Sequence, residues 1–223
     1  MQKTNTKNWE INPVTEKDKD IYTCIFKMYE EILEKTGDKL RNGIAQDLFG
    51  IRVSLQHFIL KHGHEDKILP IKKMLRDVIY DLSGVANDLN PTVLLNTGFL
   101  AAVEELIFRF RKGGIAMKYK IDPKIGAESP GFQLSCFRVI QDILHKNFRQ
   151  KPSNPMYLQL SMKNKMLSLF LDGFLDPQLN KMEAYVAYSD LLFLISNRIA
   201  MYSGSVDIHQ RKGNNQLIIK MYI

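Results

Sequence analysis

The sequence predicts an α+β fold in two parts: a helical hairpin that pairs into a dimeric four-helix bundle, then an α/β sandwich whose mixed sheet carries three helices on one face. Two observations predict it. Between residues 14 and 90 the apolar residues step by three and four over long stretches, the spacing of a helix face. From residue 91 onward, helical stretches alternate with short runs of period two, bounded by Gly, Pro and Asn. With 223 residues, 45% of them hydrophobic, the chain can form one large or two small domains with a buried core.

Taken in order, Met1 to Pro13 is polar, lacks periodicity and reads as a disordered tail. The hairpin occupies residues 14–90. Its first seam places apolar residues at Ile25, Met28 and Ile32 and, after Gly37 and Gly43, at Ile44, Leu48, Ile51, Leu55 and Phe58. "HGHED" at His62 to Asp66 is a tight connection. The second seam runs Ile68, Ile71, Leu75, Val78, Leu82, Val85, Leu89, an unbroken alternation of three and four. One hairpin cannot cover both seams together with Phe49, Val53, Ile59 and Ile79, whereas two copies in a four-helix bundle can.

The second part spans residues 91–223. "TGFLAAVEELIFRFRKGG" is a helix closed by a glycine pair, and "IAMKYKID" alternates as a strand does. "PGFQLSCFRVIQDILHKNFRQ" is a second helix, and "MYLQLSMKNKMLSLFLDG" gives two strands about a Lys-Asn turn. A third helix, about Leu179 to Tyr202, precedes "GSVDIHQRKGNNQLIIKMYI", a hairpin turned at Gly213-Asn214-Asn215.

Composition bounds the partners. The net charge is +7, with 31 Lys and Arg spread along the chain rather than gathered into a block. Diffuse basicity of this kind suits acidic partners without selecting a nucleic acid. Cys24 and Cys136 are too few for a disulfide framework or a metal site, which fits a reducing compartment. The first twenty residues carry no signal peptide, and no apolar run approaches the roughly 20 residues of a membrane span. The expected location is the cytoplasm.

Several strings then acquire a common meaning. "NDLNPTVLLNTGFLAAVEEL" supplies Leu89, Pro91, Leu94, Gly98, Phe99, Ala102 and Val103; "FRVIQDILHKNFRQ" supplies Phe137, Arg138, Gln141 and Asp142; "ISNRIAMYSGSVDI" supplies Ile195, Arg198, Gly204 and Ile208. In this order they resemble the cytoplasmic core of bacterial sensor histidine kinases, in the subgroup whose dimerisation helix carries His-Asp-x-Leu-Gly-Gln ahead of a GHKL-type ATPase domain. The resemblance covers about residues 40 to 223. It implies a phospho-acceptor helix, a nucleotide pocket and a response-regulator receiver domain as partner.

The chemistry-bearing positions depart from that family. Asp47 and Gly50 match its Asp and Gly, and Phe49 stands in place of Leu. Gln46 occupies the acceptor histidine's position, and an amide nitrogen is not basic and cannot take a phosphoryl group as imidazole does. Ile51 replaces the Gln that positions water in dephosphorylation. Lys146 stands where the magnesium-binding Asn belongs, and an ammonium has no lone pair to offer a metal. In "LDGFL" Gly173 survives, but Leu171 replaces the adenine-reading Asp and Leu175 the second Gly; a one-residue shift would align Asp172 at the cost of the glycines. At the lid, Ser189 and Leu191 occupy the glycine positions. Gln150 belongs to the same degenerate pocket.

Each of these residues also has a plain reading. Gln46 on an exposed face is a good helix former, and Lys146 can fill a vacated pocket and neutralise Asp142 or Asp172. His57, eleven residues after Gln46, falls close to the same face and is an alternative acceptor; His62 and His64 lack the companions of a metal site. The favoured expectation is a catalytically inactive, histidine-kinase-like homodimer without cofactor or metal. It would bind a receiver domain or a sensor kinase through Gln46, Asp47, Phe49, Gly50, Ile51 and Arg52, with Arg76 and Tyr80 beside them. The alternatives are an enzyme, as a phosphotransferase or atypical kinase using His57, and a structural dimer outside phosphosignalling.

Overall fold

The computed structural model describes residues 16–63, 65–150, 155–174, 178–211 and 214–223. The expected tail at 1–13, His64, Leu175 and the turn at Gly213 lie outside the described residues. Two compact units emerge, one spanning Ile25–Val93 and the other built on Leu94–Ile223. Among the described residues no helix is long and apolar enough to cross a membrane.

The first unit is a helical hairpin. Helix α1 (Glu16–Lys39) continues through a π-helical turn (Leu40–Ala45) into α2 (Gln46–His62), and α3 (Glu65–Leu89) returns alongside. Gly63, in the left-handed conformation, closes α2 by donating its N–H to the Ile59 carbonyl at 2.8 Å. Gly37 and Gly43, read above as interruptions, do not break the helix. Gly37 instead permits close crossing, since a Cβ there would lie 2.8 Å from Asn90 Cβ and 3.0 Å from the Ala86 carbonyl.

Two cross-helix hydrogen bonds fix the hairpin's register. Arg41 Nη2 donates to Asn87 Oδ1 at 3.0 Å, and Lys72 Nζ donates to Gln56 Oε1. In both pairs the residue numbers add to 128, so Arg76 stands level with Arg52 and Tyr80 with Leu48. The two seams sort into inner and outer rows. Leu48, Leu55, Leu75 and Leu82 are half-buried and Ile59 is buried, together with Ile79, which the sequence reading had left outside the seam. Ile44, Ile51 and Phe58, and across from them Ile71, Val78 and Val85, are each about half exposed. Both outer rows recur every seventh residue.

The second unit is the expected mixed sheet with helices. After a short helix, α4 (Thr92–Thr97), come α5 (Phe99–Lys112), β1 (Met117–Ile121), a 3₁₀ turn (Pro123–Ala127), α6 (Pro130–Gln150), β2 (Met156–Lys163) and β3 (Met166–Asp172). Helices α7 (Lys181–Ala187) and α8 (Ser189–Ala200) precede β4 (Ser205–Arg211) and β5 (Asn214–Tyr222). The single third helix expected over 179–202 is therefore two, hinged at Tyr188, where α7 ends at φ −112° and ψ 12°.

The strand order is β1-β2-β3-β5-β4, with β1 and β2 parallel and the other pairs antiparallel. Alternation puts Leu158, Leu160, Leu167, Leu169, Leu171, Leu217, Ile219 and Ile208 on one buried face, against which Leu106, Ile107, Phe137, Ile140, Ile195 and Ile199 of the long helices are also buried. The opposite face is only half-buried or exposed. The β2–β3 turn places Asn164 and Lys165 at positive φ, as its two-residue hairpin geometry requires.

Candidate functional site

Two sets of residues carry the family's chemistry, one on each unit, and each is described by itself. On the hairpin, Gln46 and Asp47 open α2 and are both exposed. Their face continues through Phe49, 48% exposed, and Gly50. Arg52 lies half-buried with its guanidinium 4.5 Å from the Phe49 ring centroid, a cation–π contact that orients both side chains. Tyr80 is exposed, and Arg76 pairs with its neighbour Asp77 at 3.3 Å.

Gly50 stands apart from the hairpin's other needs. It lies in the middle of α2, where glycine costs roughly 0.5–1 kcal/mol relative to alanine. A Cβ added there would meet nothing within 4 Å. Packing within the chain therefore does not require it. Ile51 belongs to the outer row with Ile44 and Phe58, so Phe49 is the apolar residue of this face that lies outside both rows of the hairpin.

His57 is exposed farther along α2, where it lines a shallow groove of about 600 Å³ with Ser54, Phe58, Leu60, Lys61 and His62. The His62 ring stacks on Phe58 with centroids 4.6 Å apart. Among the described residues no group of three or more His, Cys, Asp or Glu side chains converges.

On the second unit, the positions that would hold a nucleotide have been absorbed by the core. Leu171 is fully buried in β3, paired with Leu158 and Leu217 and facing the helices. Asp172, next along the strand, points to the opposite face, so it cannot stand in for an aspartate at 171. Its carboxylate instead accepts the Gly173 N–H at 3.0 Å. Gly173 is held at φ +72° with a would-be Cβ 2.6 Å from the Pro155 carbonyl, so its retention has a backbone reason that owes nothing to phosphate.

Beyond Gly173, Phe174 is 2% exposed and packs against Tyr188, also 2%, at 5.1 Å between ring centroids. Ser189 forms the first residue of α8, and Leu191, one of the two lid positions, is buried. A helix thus begins where a glycine lid would flex. Each large side chain buried in this way contributes about 1.5–3 kcal/mol, which favours the filled state over an open pocket. Lys146 is half-buried on α6, and among the described residues no ion pair joins it to Asp142 or Asp172. Gln150 is the last residue of the same helix.

The resembling strings serve the scaffold. Phe137, Arg138, Gln141, Ile195 and Arg198 are all buried, and Arg138 Nη1 donates to Gln141 Oε1 at 2.8 Å inside the core. Sequence reasoning missed Phe174 and Tyr188 as the pair that fills the pocket, although two aromatics flanking a broken glycine motif were the available signal. It also missed the clamp of Asp38, Arg41, Asn87 and Asn90, whose partners are about fifty residues apart.

No protein-family model matches the chain, and no curated protein matches it. Among solved structures it is similar to the histidine kinase AdeS of Acinetobacter baumannii, with a TM-score of 0.43 and 13% identity over 79% of this chain and 95% of that one.

Proposed function

We propose that this protein is a catalytically silent, histidine-kinase-like signalling protein that acts as a homodimeric adaptor, docking the receiver domain of a response regulator on the exposed start of α2. Phosphoryl transfer needs a nucleophile and a bound nucleotide. Gln46 supplies no nucleophile, and Leu171, Phe174, Tyr188 and Leu191 fill the space where the nucleotide's contacts would lie. What the family-like shape retains is a recognition surface.

The observation that carries this reading is Gly50, a mid-helix glycine with open space around it, set between exposed Gln46, Asp47 and Phe49. A glycine that the chain's own packing does not use is accounted for by a partner that approaches the backbone closely. Gln46 both donates and accepts hydrogen bonds, so it can enter a receiver's acidic pocket without becoming phosphorylated. Phe49 supplies an apolar anchor, and Arg52 and Arg76 set orientation and on-rate. The outer rows of the hairpin support the homodimer, because six half-exposed apolar side chains at heptad spacing are the seam of a bundle that lacks its second half.

The test is capture of partners from the native cell with the full chain, then titration of the captured receiver domain against Gln46→Ala, Asp47→Lys and Arg52→Glu. Each variant is first checked for an intact dimer. The proposal expects at least a tenfold loss of affinity in one or more of them. A sensor kinase in place of the receiver would redirect the adaptor to a different partner, and unchanged affinity in all three would move docking off this face.

A further inference from the structure

We infer that α1 is a second dimerisation element, pairing in parallel with α1 of another copy of this chain, and that the π turn at Leu40–Ala45 is what aligns it with the bundle face. The inference rests on the homodimer proposed above and extends it beyond the hairpin. Ile21, Ile25, Met28 and Ile32 follow one another by four, three and four residues along α1 and are 50%, 53%, 60% and 60% exposed. That is a seam without a partner.

The spacing breaks beyond Ile32. Continued as plain α-helix, the same face would pass through Lys35, Lys39, Asn42 and Gln46, all polar, whereas the next outer-row residue is Ile44. Twelve residues of straight α-helix turn the chain by about 1,200°, which leaves Ile44 about 120° away from Ile32. The π turn lies within this interval. A π turn absorbs one extra residue, so the segment advances as about eleven residues do, about 1,100°, within about 20° of three full turns. Ile32 and Ile44 therefore share a face. The sequence break and the backbone feature occur at the same place, and each compensates the other.

Area supports a second copy as the occupant. The six outer-row residues of the hairpin offer roughly 600 Å² of exposed side chain, short of the roughly 800 Å² per partner of a standard interface. The α1 stripe adds roughly 400 Å² and carries the total past that mark. In a bundle whose two-fold axis runs along the helices, both α1 segments leave from the same end, and their stripes meet.

The chain carries its own reporter. Cys24 precedes Ile25 beside the stripe and is exposed, whereas Cys136 is buried in α6 with its thiol pushed far up by burial. A short-armed bis-maleimide applied to the full chain should give a covalent dimer as the main product, absent from Cys24→Ser. Ile25→Asp with Met28→Asp should weaken the dimer at least tenfold with helicity retained. Deletion of Gly43, which removes the extra residue, should turn the stripe by about 100° and lower cross-linking several-fold. A dimer by light scattering in which Cys24 stays unlinked, or in which these changes leave affinity and linking as they were, overturns the pairing of α1 alone. A monomer at micromolar concentration removes the homodimer and this inference together.

Discussion

Arg41 Nη2 lies 3.0 Å from Asn87 Oδ1, a hydrogen bond that joins the end of the first long helix to the end of the returning one. The same nitrogen donates to the Asn90 carbonyl at 3.1 Å, and Asn90 Nδ2 donates to Asp38 Oδ1 at 2.9 Å. Each charge-assisted bond of this kind contributes about 1.5–3 kcal/mol before solvent screening, and Arg41 is partly exposed. Arg41→Ala should therefore cost about 1–2 kcal/mol. Gly37→Ala should cost about 1–3 kcal/mol, because its methyl has nowhere to go against Asn90. Denaturant unfolding of each variant checks both values.

The dimer should respond to the outer rows and the hairpin to the inner ones. Ile51→Asp combined with Val78→Asp places charges on half-exposed positions, so the monomer keeps its helicity while association is lost. Leu55→Asp or Leu82→Asp acts inside the hairpin and should lower helicity as well as association. Light scattering alongside circular dichroism separates the two, and a dimer that survives the outer pair of substitutions would place its interface elsewhere.

Gly50→Ala should have opposite effects on stability and binding. The alanine raises helix propensity by roughly 0.5–1 kcal/mol with no clash inside the chain. If a partner's backbone or side chain rests on this spot, its affinity falls at least tenfold in the same variant. Stabilisation without loss of partner affinity would mean that nothing docks against Gly50.

The fold was legible because periodicity is local. Steps of three and four from Ile68 to Leu89 and of two in "MYLQLSMK" specify which face is buried without reference to distant residues. The degenerate pocket was legible for a related reason: Leu171 and Lys146 lack the groups a nucleotide site needs, wherever they point. What fills the space was not legible, since Phe174 and Tyr188 meet only after the chain turns back through α7. Gly37 misled because glycine at a break and glycine at a close helix crossing read alike in one sequence. The inner and outer rows were merged into one seam because the choice between them depends on where α3 lies.

An acid-side dependence of stability follows from Asp122. Its carboxylate accepts the Lys124 N–H at 3.0 Å and the Met162 N–H at 3.2 Å, and these bonds hold its pKa below the ordinary value of 3.8. A depressed folded-state pKa gives stability that is present above 3.8 and is lost as pH falls through the lower folded value. Asp122→Asn should therefore be less stable than the parent near neutral pH, with the gap narrowing as pH falls below 3.8. Thermal melts of both proteins across pH 2.5 to 6, roughly the window in which carboxylates titrate, check the sign.

The central claim, that this chain recognises without transferring phosphate, is tested most directly by calorimetric titration of the full-length dimer with Mg-ATP. The filled positions Leu171, Phe174, Tyr188 and Leu191, with an ammonium at Lys146 where a metal-binding amide belongs, predict no saturable heat up to millimolar nucleotide. Micromolar affinity that disappears when Mg²⁺ is chelated would contradict the account and return the chain to the enzymes, with His57 as the first residue to substitute.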